Sequence, residues 1–162
     1  MIRAIIAIDS KRGMSDDSGM PWNLPNEHQF FVDSIQTGKV LMGYCTYVET
    51  DRPLGGGDNY VATSKTDKLR DGFVPVRDAC EFLKAADDDV WNIGGPGLLK
   101  ATLHLIDEFY VTQIESDFGC TKFAPDFDNL FSLEQESDPV TEDGVTYRFQ
   151  VWRPMKERFV KL

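Results

Sequence analysis

Residues 2–8 form a continuous apolar run, the pattern of a strand covered on both faces. Shorter apolar runs at 40–42, 60–63 and 90–93, and a longer one at 108–114, predict further strands of the same sheet. Between them the spacing turns helical. Pro25 opens a helix over 25–36, with proline in the first turn and Gly38 as the stop. Further helices are predicted over 43–50, 77–86 and 96–105. Residues 10–23 read as a long loop, of the kind that is more often functional than idle, and 52–58 as a turn-rich loop with three consecutive glycines. Strands near 131–136 and 145–153, joined by a turn containing Asp143-Gly144, end the pattern. Strands alternating with helices before a final antiparallel pair predict an α/β fold in one domain over 1–162. The sheet is mostly parallel, with an antiparallel C-terminal strand. Ligands of such sheets sit at the carboxyl ends of the strands.

Composition narrows this picture. The 162 residues are 41% apolar and 27% charged, which is globular, without repeats or low-complexity tracts. Acidic residues outnumber basic ones 27 to 17, a formal charge of −10 that argues against nucleic acid or an anionic membrane as partner. Cys45, Cys80 and Cys120 are odd in number and lack C-x-x-C spacing, which disfavours a disulfide scaffold or zinc site and points to the cytoplasm. With only His28 and His104, a His-rich metal site is excluded and a Ser-His-Asp triad has little to draw on. No apolar run approaches a membrane span, and a monomer is the default expectation.

The candidate chemistry begins on the first helix. Leu24, Glu27, Phe31 and Ile35 share one face that is apolar apart from the carboxylate. Two readings fit Glu27. A glutamate near a helix N-terminus faces water and is stabilised by the dipole. A carboxylate among Leu, Phe and Ile is instead desolvated; its pKa rises, and it donates a proton or pairs with ligand N–H groups. Gly94-Gly95-Pro96-Gly97 follows a strand and precedes a helix, which is either a tight turn or a place where backbone N–H groups approach a phosphate. Gly43, with Thr46 in the following turn, makes a second such cradle, and two cradles in so small a domain suggest a dinucleotide. Trp22, at a loop–helix junction, is either a core residue or a pocket wall that holds a water near Glu27. Thr112 is either an ordinary strand threonine or a buried hydroxyl partner for Glu27.

Met20-Pro21-Trp22-Asn23-Leu24-Pro25-Asn26-Glu27, followed by Phe30-Phe31, resembles the signature segment of the dihydrofolate reductase family. Val40-Leu41-Met42-Gly43 with Thr46, then Arg52-Pro53-Leu54, resembles the next segment; Ile93-Gly94-Gly95 and Tyr110-Val111-Thr112 continue the match in order. The resemblance implies a central eight-stranded sheet flanked by about four helices. It implies NADPH-dependent reduction of 7,8-dihydrofolate to tetrahydrofolate, with hydride delivered to C6 and a proton to N5. Glu27 is then the pocket carboxylate that binds the pterin and assists protonation, Thr112 its hydrogen-bond partner, and Trp22 the residue that orients a water. Met20 lies in a loop over the nicotinamide, and Ile5, Ala7, Phe31 and Ile93 wall the two rings. Gly43, Thr46, Gly94, Gly95, Gly97 and Leu98 fall in the cofactor-binding turns, and Thr63, Ser64 and Lys65 near the adenosine phosphate. Diaminopyrimidine antifolates are implied as ligands, their protonated ring paired with Glu27.

The sequence departs from the family pattern in three places. The glycine-rich loop, where the family carries an Arg for the substrate's glutamate carboxylate, reads Gly55-Gly56-Gly57 here, leaving Arg52 nearby as the candidate. Tyr44 replaces an Arg that contacts cofactor phosphates, so a preference for NADPH over NADH leans on Lys65. Pro96-Gly97-Leu98-Leu99 lacks the Arg and Tyr of some relatives, leaving phosphate binding there mostly to backbone. These departures keep two alternatives open: a reductase of the same fold acting on a tail-less pterin or ribosylaminopyrimidine, and a non-catalytic pterin- or nucleotide-binding protein.

Overall fold

The computed structural model of the chain describes residues 1–64 and 68–155. In chain order the strands are β1 (Ile2–Ile8), β2 (Gly13–Ser15), β3 (Lys39–Gly43), β4 (Asn59–Ala62), β5 (Phe73–Val76) and β6 (Val90–Asn92). They continue with β7 (Glu108–Ile114), β8 (Lys122–Phe123), β9 (Phe131–Glu136), β10 (Val140–Glu142) and β11 (Val145–Pro154). The helices are α1 (Pro25–Ser34), α2 (Tyr44–Val48), α3 (Ala79–Ala85) and α4 (Pro96–Thr102). The main sheet runs β10-β11-β7-β1-β6-β3-β4-β5, with β9 also paired to β11. Its pairings are parallel from β7 through β1 to β5, and antiparallel wherever β11 takes part.

The central strand explains its own sequence. Ala4, Ile6 and Ile8 pack on one side of the sheet with Leu99, Phe109 and Phe131, while Ile5 packs on the other with Ile35, Met42 and Trp91. A strand buried on both faces has no use for a polar alternation, hence the unbroken apolar run. α1 follows its predicted start, and a single 3-10 turn over Ile35–Thr37 carries it to Gly38. α3 begins later than expected because Asp78 caps it, accepting a hydrogen bond from the Glu81 N–H at 3.1 Å.

Three expectations are corrected. The stretch 10–23 is not structureless: β2 pairs antiparallel with β8, and Asp16 bridges Gly19. β5 was not anticipated; it is a short edge strand containing Pro75, which a sheet edge tolerates and a central strand would not. The turn at Asp143-Gly144, with φ of 49° and 76°, joins β10 to β11 and not β9 to β11. β9 and β10 occupy successive lengths of the same β11 partner, and the chain between them bonds to β11 through Ser137 and Phe149.

Candidate active site

Glu27 is the buried residue of α1, only 7% exposed, so of the two readings the desolvated one holds. Thr112, on β7 and also buried, donates its hydroxyl to Glu27 Oε1 at 3.0 Å. Burial pushes the Glu27 carboxyl above the ordinary range; the Thr112 hydroxyl pulls it back, and the charge of Glu142 adds to the rise. Glu142 on β10 holds the start of the helix in place: its carboxylate accepts the Asn26 N–H at 2.9 Å and the Tyr147 hydroxyl at 3.0 Å. Burial, then that carboxylate, push the fully buried Tyr147 phenol up to about 12.

Trp22 is a core residue that also lines a depression beside Glu27. It packs with Leu24, Ile114, Cys120 and Tyr147, edge-on to Phe118, and it shares a depression with Met20, Glu27 and His28. Its indole Nε1 is buried without a protein hydrogen-bond partner among the described residues. A buried donor of this kind suits a water-mediated contact. The cleft above Glu27 is lined by Ile5, Ala7, Met14, Met20 and Phe31, with His28 and Glu49 among its polar residues. Neither His28 nor Glu49 carries a signal in the sequence that would place it in this cleft. His28 follows Glu27 directly, and its ring leans on Phe31. Met20 is 57% exposed at the rim.

The loop over this cleft hangs on Asp9, just beyond β1. Asp9 Oδ1 accepts the N–H groups of Gly13 at 2.7 Å and Lys11 at 2.9 Å, while Oδ2 accepts that of Phe118 at 3.1 Å. Burial works to raise this carboxyl, but those three N–H groups and the Cys120 thiol together hold it below the ordinary range. The facing loops 10–15 and 118–123 thus share one buried anion.

A groove continues from the cleft between the starts of α2 and α4, lined by Gly43, Tyr44, Gly95, Gly97, Leu98 and Lys122. β3 and β6 are neighbours, so their ends meet, and the Gly43 N–H donates to the Gly94 carbonyl at 2.8 Å. Gly94 has φ +84°, in the left-handed region that favours glycine. Open space lies over Gly97, and Gly95 is 3.7 Å from the Thr46 hydroxyl by its would-be Cβ. Glycine backbone, one cation and continuity with the cleft fit an elongated anionic dinucleotide. Lys122 was missed from the sequence because it reaches the groove only through the pairing of β8 with β2.

Other predicted residues stand apart. Ile93 packs on the same apolar cluster as Ile5, Phe31, Trp91 and Tyr110 and is not among the residues lining the cleft. Thr63 extends the sheet pairing by donating its N–H to the Val76 carbonyl, and Ser64 is exposed; Lys65 lies outside the described residues. Arg52 is exposed and lines neither cleft nor groove. The glycines beyond it lie against backbone. A Cβ at Gly55 would sit 2.6 Å from the Ile35 carbonyl oxygen, at Gly56 2.8 Å from that of Gln36, and at Gly57 2.6 Å from that of Gly38. The buried Asn59 side chain fixes this loop through the N–H and carbonyl of Leu54 and the carbonyl of Gly57.

Comparison with known proteins agrees with this geometry. The family described as dihydrofolate reductase matches residues 1–154. The chain is 30% identical over 157 residues to a dihydrofolate reductase of Bacillus subtilis (strain 168), covering 91% of this chain and 94% of that protein. It is 31% identical over 140 residues to a dihydrofolate reductase of Staphylococcus aureus, covering 83% of this chain and 87% of that one. The solved dihydrofolate reductase from Enterococcus faecalis complexed with NADP(H) and RAB-propyl shares the fold. Its TM-score is 0.86 at 22% identity, over 95% of this chain and 96% of that one. Since the family match runs unbroken from β1 to the last residue of β11, this chain belongs to the dihydrofolate reductase family.

Proposed function

We propose that this chain, acting as one domain over 1–162, reduces 7,8-dihydrofolate to 5,6,7,8-tetrahydrofolate with NADPH. The observation that carries the reading is Glu27: a buried carboxylate held by Thr112 in an apolar cleft that opens into a glycine-lined groove. NADPH, when bound, supplies the hydride for C6 of the pterin. Glu27 pairs with the ring's N–H groups and fixes its orientation. Burial raises the pKa of Glu27, which favours the protonated carboxyl that can pass a proton toward N5. The buried Trp22 indole N–H, without a partner among the described residues, suits the water that would carry that proton. Ile5, Ala7 and Phe31 keep bulk water from the rings, and Met20 at the rim is placed to cover them. Gly43, Thr46, Gly94, Gly95, Gly97 and Leu98 hold the dinucleotide mainly by backbone. Diaminopyrimidine antifolates occupy the same cleft through Glu27.

The three free thiols, Cys45, Cys80 and Cys120, support a reducing, cytoplasmic setting, and the proposed form is a monomer. The Gly55–Gly57 loop, which admits no side chain, favours a second reading in which the preferred pterin lacks a glutamyl tail. The deciding assay follows loss of nicotinamide absorbance with 7,8-dihydrofolate and NADPH, with NADH in parallel. Turnover that vanishes in Glu27→Ala supports the proposal. Cofactor binding without turnover of dihydrofolate overturns it, and turnover of a tail-less dihydropterin in its place establishes the second reading.

A further inference from the structure

We propose that Lys122 is the counter-charge for the dinucleotide's pyrophosphate, and that through it the bound cofactor braces the loop over the active site. This rests on the NADPH reading above. Among the described residues lining the groove, Lys122 is the one charged side chain. It also lines the cleft, where its charged or titratable companions are Glu27, His28, Cys45 and Glu49. A pyrophosphate brings two negative charges to a protein of formal charge −10. In a field of that sign, an anion without a local cation is repelled. Tyr44 and Leu98 offer no charge, so backbone and one lysine remain.

The Lys122 ammonium is available for this. It is half-buried and makes no hydrogen bond or ion pair among the described residues. Other cations are committed: Lys39 pairs with Asp88 at 3.4 Å, and Arg70 donates to the carbonyls of Tyr47 and Thr50 while stacking on the Tyr47 ring. A compact ammonium on a flexible stem is a phosphate binder that needs no fixed fork geometry. Its position adds a mechanical role. Lys122 is opposite Ser15 in the β2–β8 pair, and the adjacent Thr121 N–H donates to the Ser15 carbonyl at 3.0 Å. A phosphate that holds Lys122 therefore also holds β2, which belongs to the loop containing Met20. Asp9 fixes the other end of the same arrangement.

The test is a titration of wild type, Lys122→Gln and Lys122→Arg with NADPH and with NADH, read by quenching of tryptophan fluorescence at low and high salt. Lys122→Gln is expected to weaken both cofactors about tenfold at low salt, with a flatter salt dependence, the signature of one lost, partly screened ion pair. Lys122→Arg is expected to stay near wild type. Without cofactor, Lys122→Gln should melt with wild type, since its ammonium has no partner to lose among the described residues. Trypsin cleavage after Lys11 or Arg12 reads the brace directly. Saturating NADPH should slow it in wild type and fail to do so in Lys122→Gln at equal saturation. Unchanged affinity of Lys122→Gln beside tight wild-type binding overturns the inference alone. Weakening confined to NADPH also overturns it, because that would put Lys122 on the adenosine phosphate. If wild type binds neither dinucleotide, the NADPH reading falls and this inference with it.

Discussion

The two ends of the cleft are built by opposite means. At the pterin end the chemistry lies in side chains: Glu27, Thr112 and the Trp22 indole, all buried and all fixed by neighbours. Along the groove it lies in backbone exposed by Gly43, Gly95 and Gly97, with Lys122 as the cation. On the proposed function the first end controls a proton, and its sensitivity is to burial and charge. On the same reading the second controls a shape, and its sensitivity is to any atom added. Substitutions at the two ends should therefore fail in different currencies, turnover at one and cofactor affinity at the other.

The largest break is expected from Glu27→Gln. Loss of the proton relay should lower kcat/KM at pH 7 by about 10²- to 10⁴-fold, with NADPH affinity near wild type. Stability should move the other way. The folded state holds the Glu27 proton at pH values where the unfolded chain has released it. The wild-type fold therefore loses stability as pH rises from the ordinary glutamate range through the raised folded value. Thermal melts should show Glu27→Gln more stable than wild type above that window, the gap closing as pH falls. A gap that is constant with pH would contradict the burial argument.

At the other end, Gly94→Ala sharpens the contrast. Its φ of +84° disfavours any side chain, and a Cβ there would meet the Met14 methyl at 3.3 Å. A cost of about 1–2 kcal/mol in stability is expected. Cofactor titration should show weaker binding, with single-turnover chemistry at saturating cofactor largely retained. The smallest effects come from a pair of substitutions acting on Glu27 in opposite directions. Thr112→Val removes the hydroxyl that favours the charged carboxylate, so the pH limb of kcat/KM assigned to Glu27 should move to higher pH. Glu142→Gln removes a neighbouring charge while keeping an acceptor for Asn26 and Tyr147, so that limb should move to lower pH. Two shifts of the same sign would show that the limb belongs to another group.

The same contrast governs what the sequence disclosed. β1, β7 and α1 were legible because local pattern and burial coincide: both-face burial for the strands, and a proline start with a glycine stop for the helix. Glu27 stood out as the one polar residue on an apolar face, and Gly43 and Gly94-Gly95 by their place between strand and helix. What escaped depends on contacts distant in sequence. β2 has no strand signature of its own and exists because β8, more than 100 residues on, pairs with it. Lys122 enters the groove by that pairing, and Glu49, just past the end of α2, joins α1 residues in the cleft only through the tertiary fold. Arg52 was placed by proximity in sequence, whereas its loop faces solvent.

The triple-glycine loop has a consequence for how this chain can change. Arginine is one nucleotide away from glycine in the genetic code, so a guanidinium at 55, 56 or 57 is always within reach of mutation. Each of those positions, however, would drive a Cβ to within 2.8 Å or less of a backbone carbonyl oxygen in the 35–38 segment, and Asn59 holds the loop where it is. The path is open genetically and closed sterically. Selection for a tighter grip on a carboxylate tail would have to find its cation elsewhere, on the solvent side of α1 or in the loop that carries Arg52, or else rebuild 54–59 as a unit.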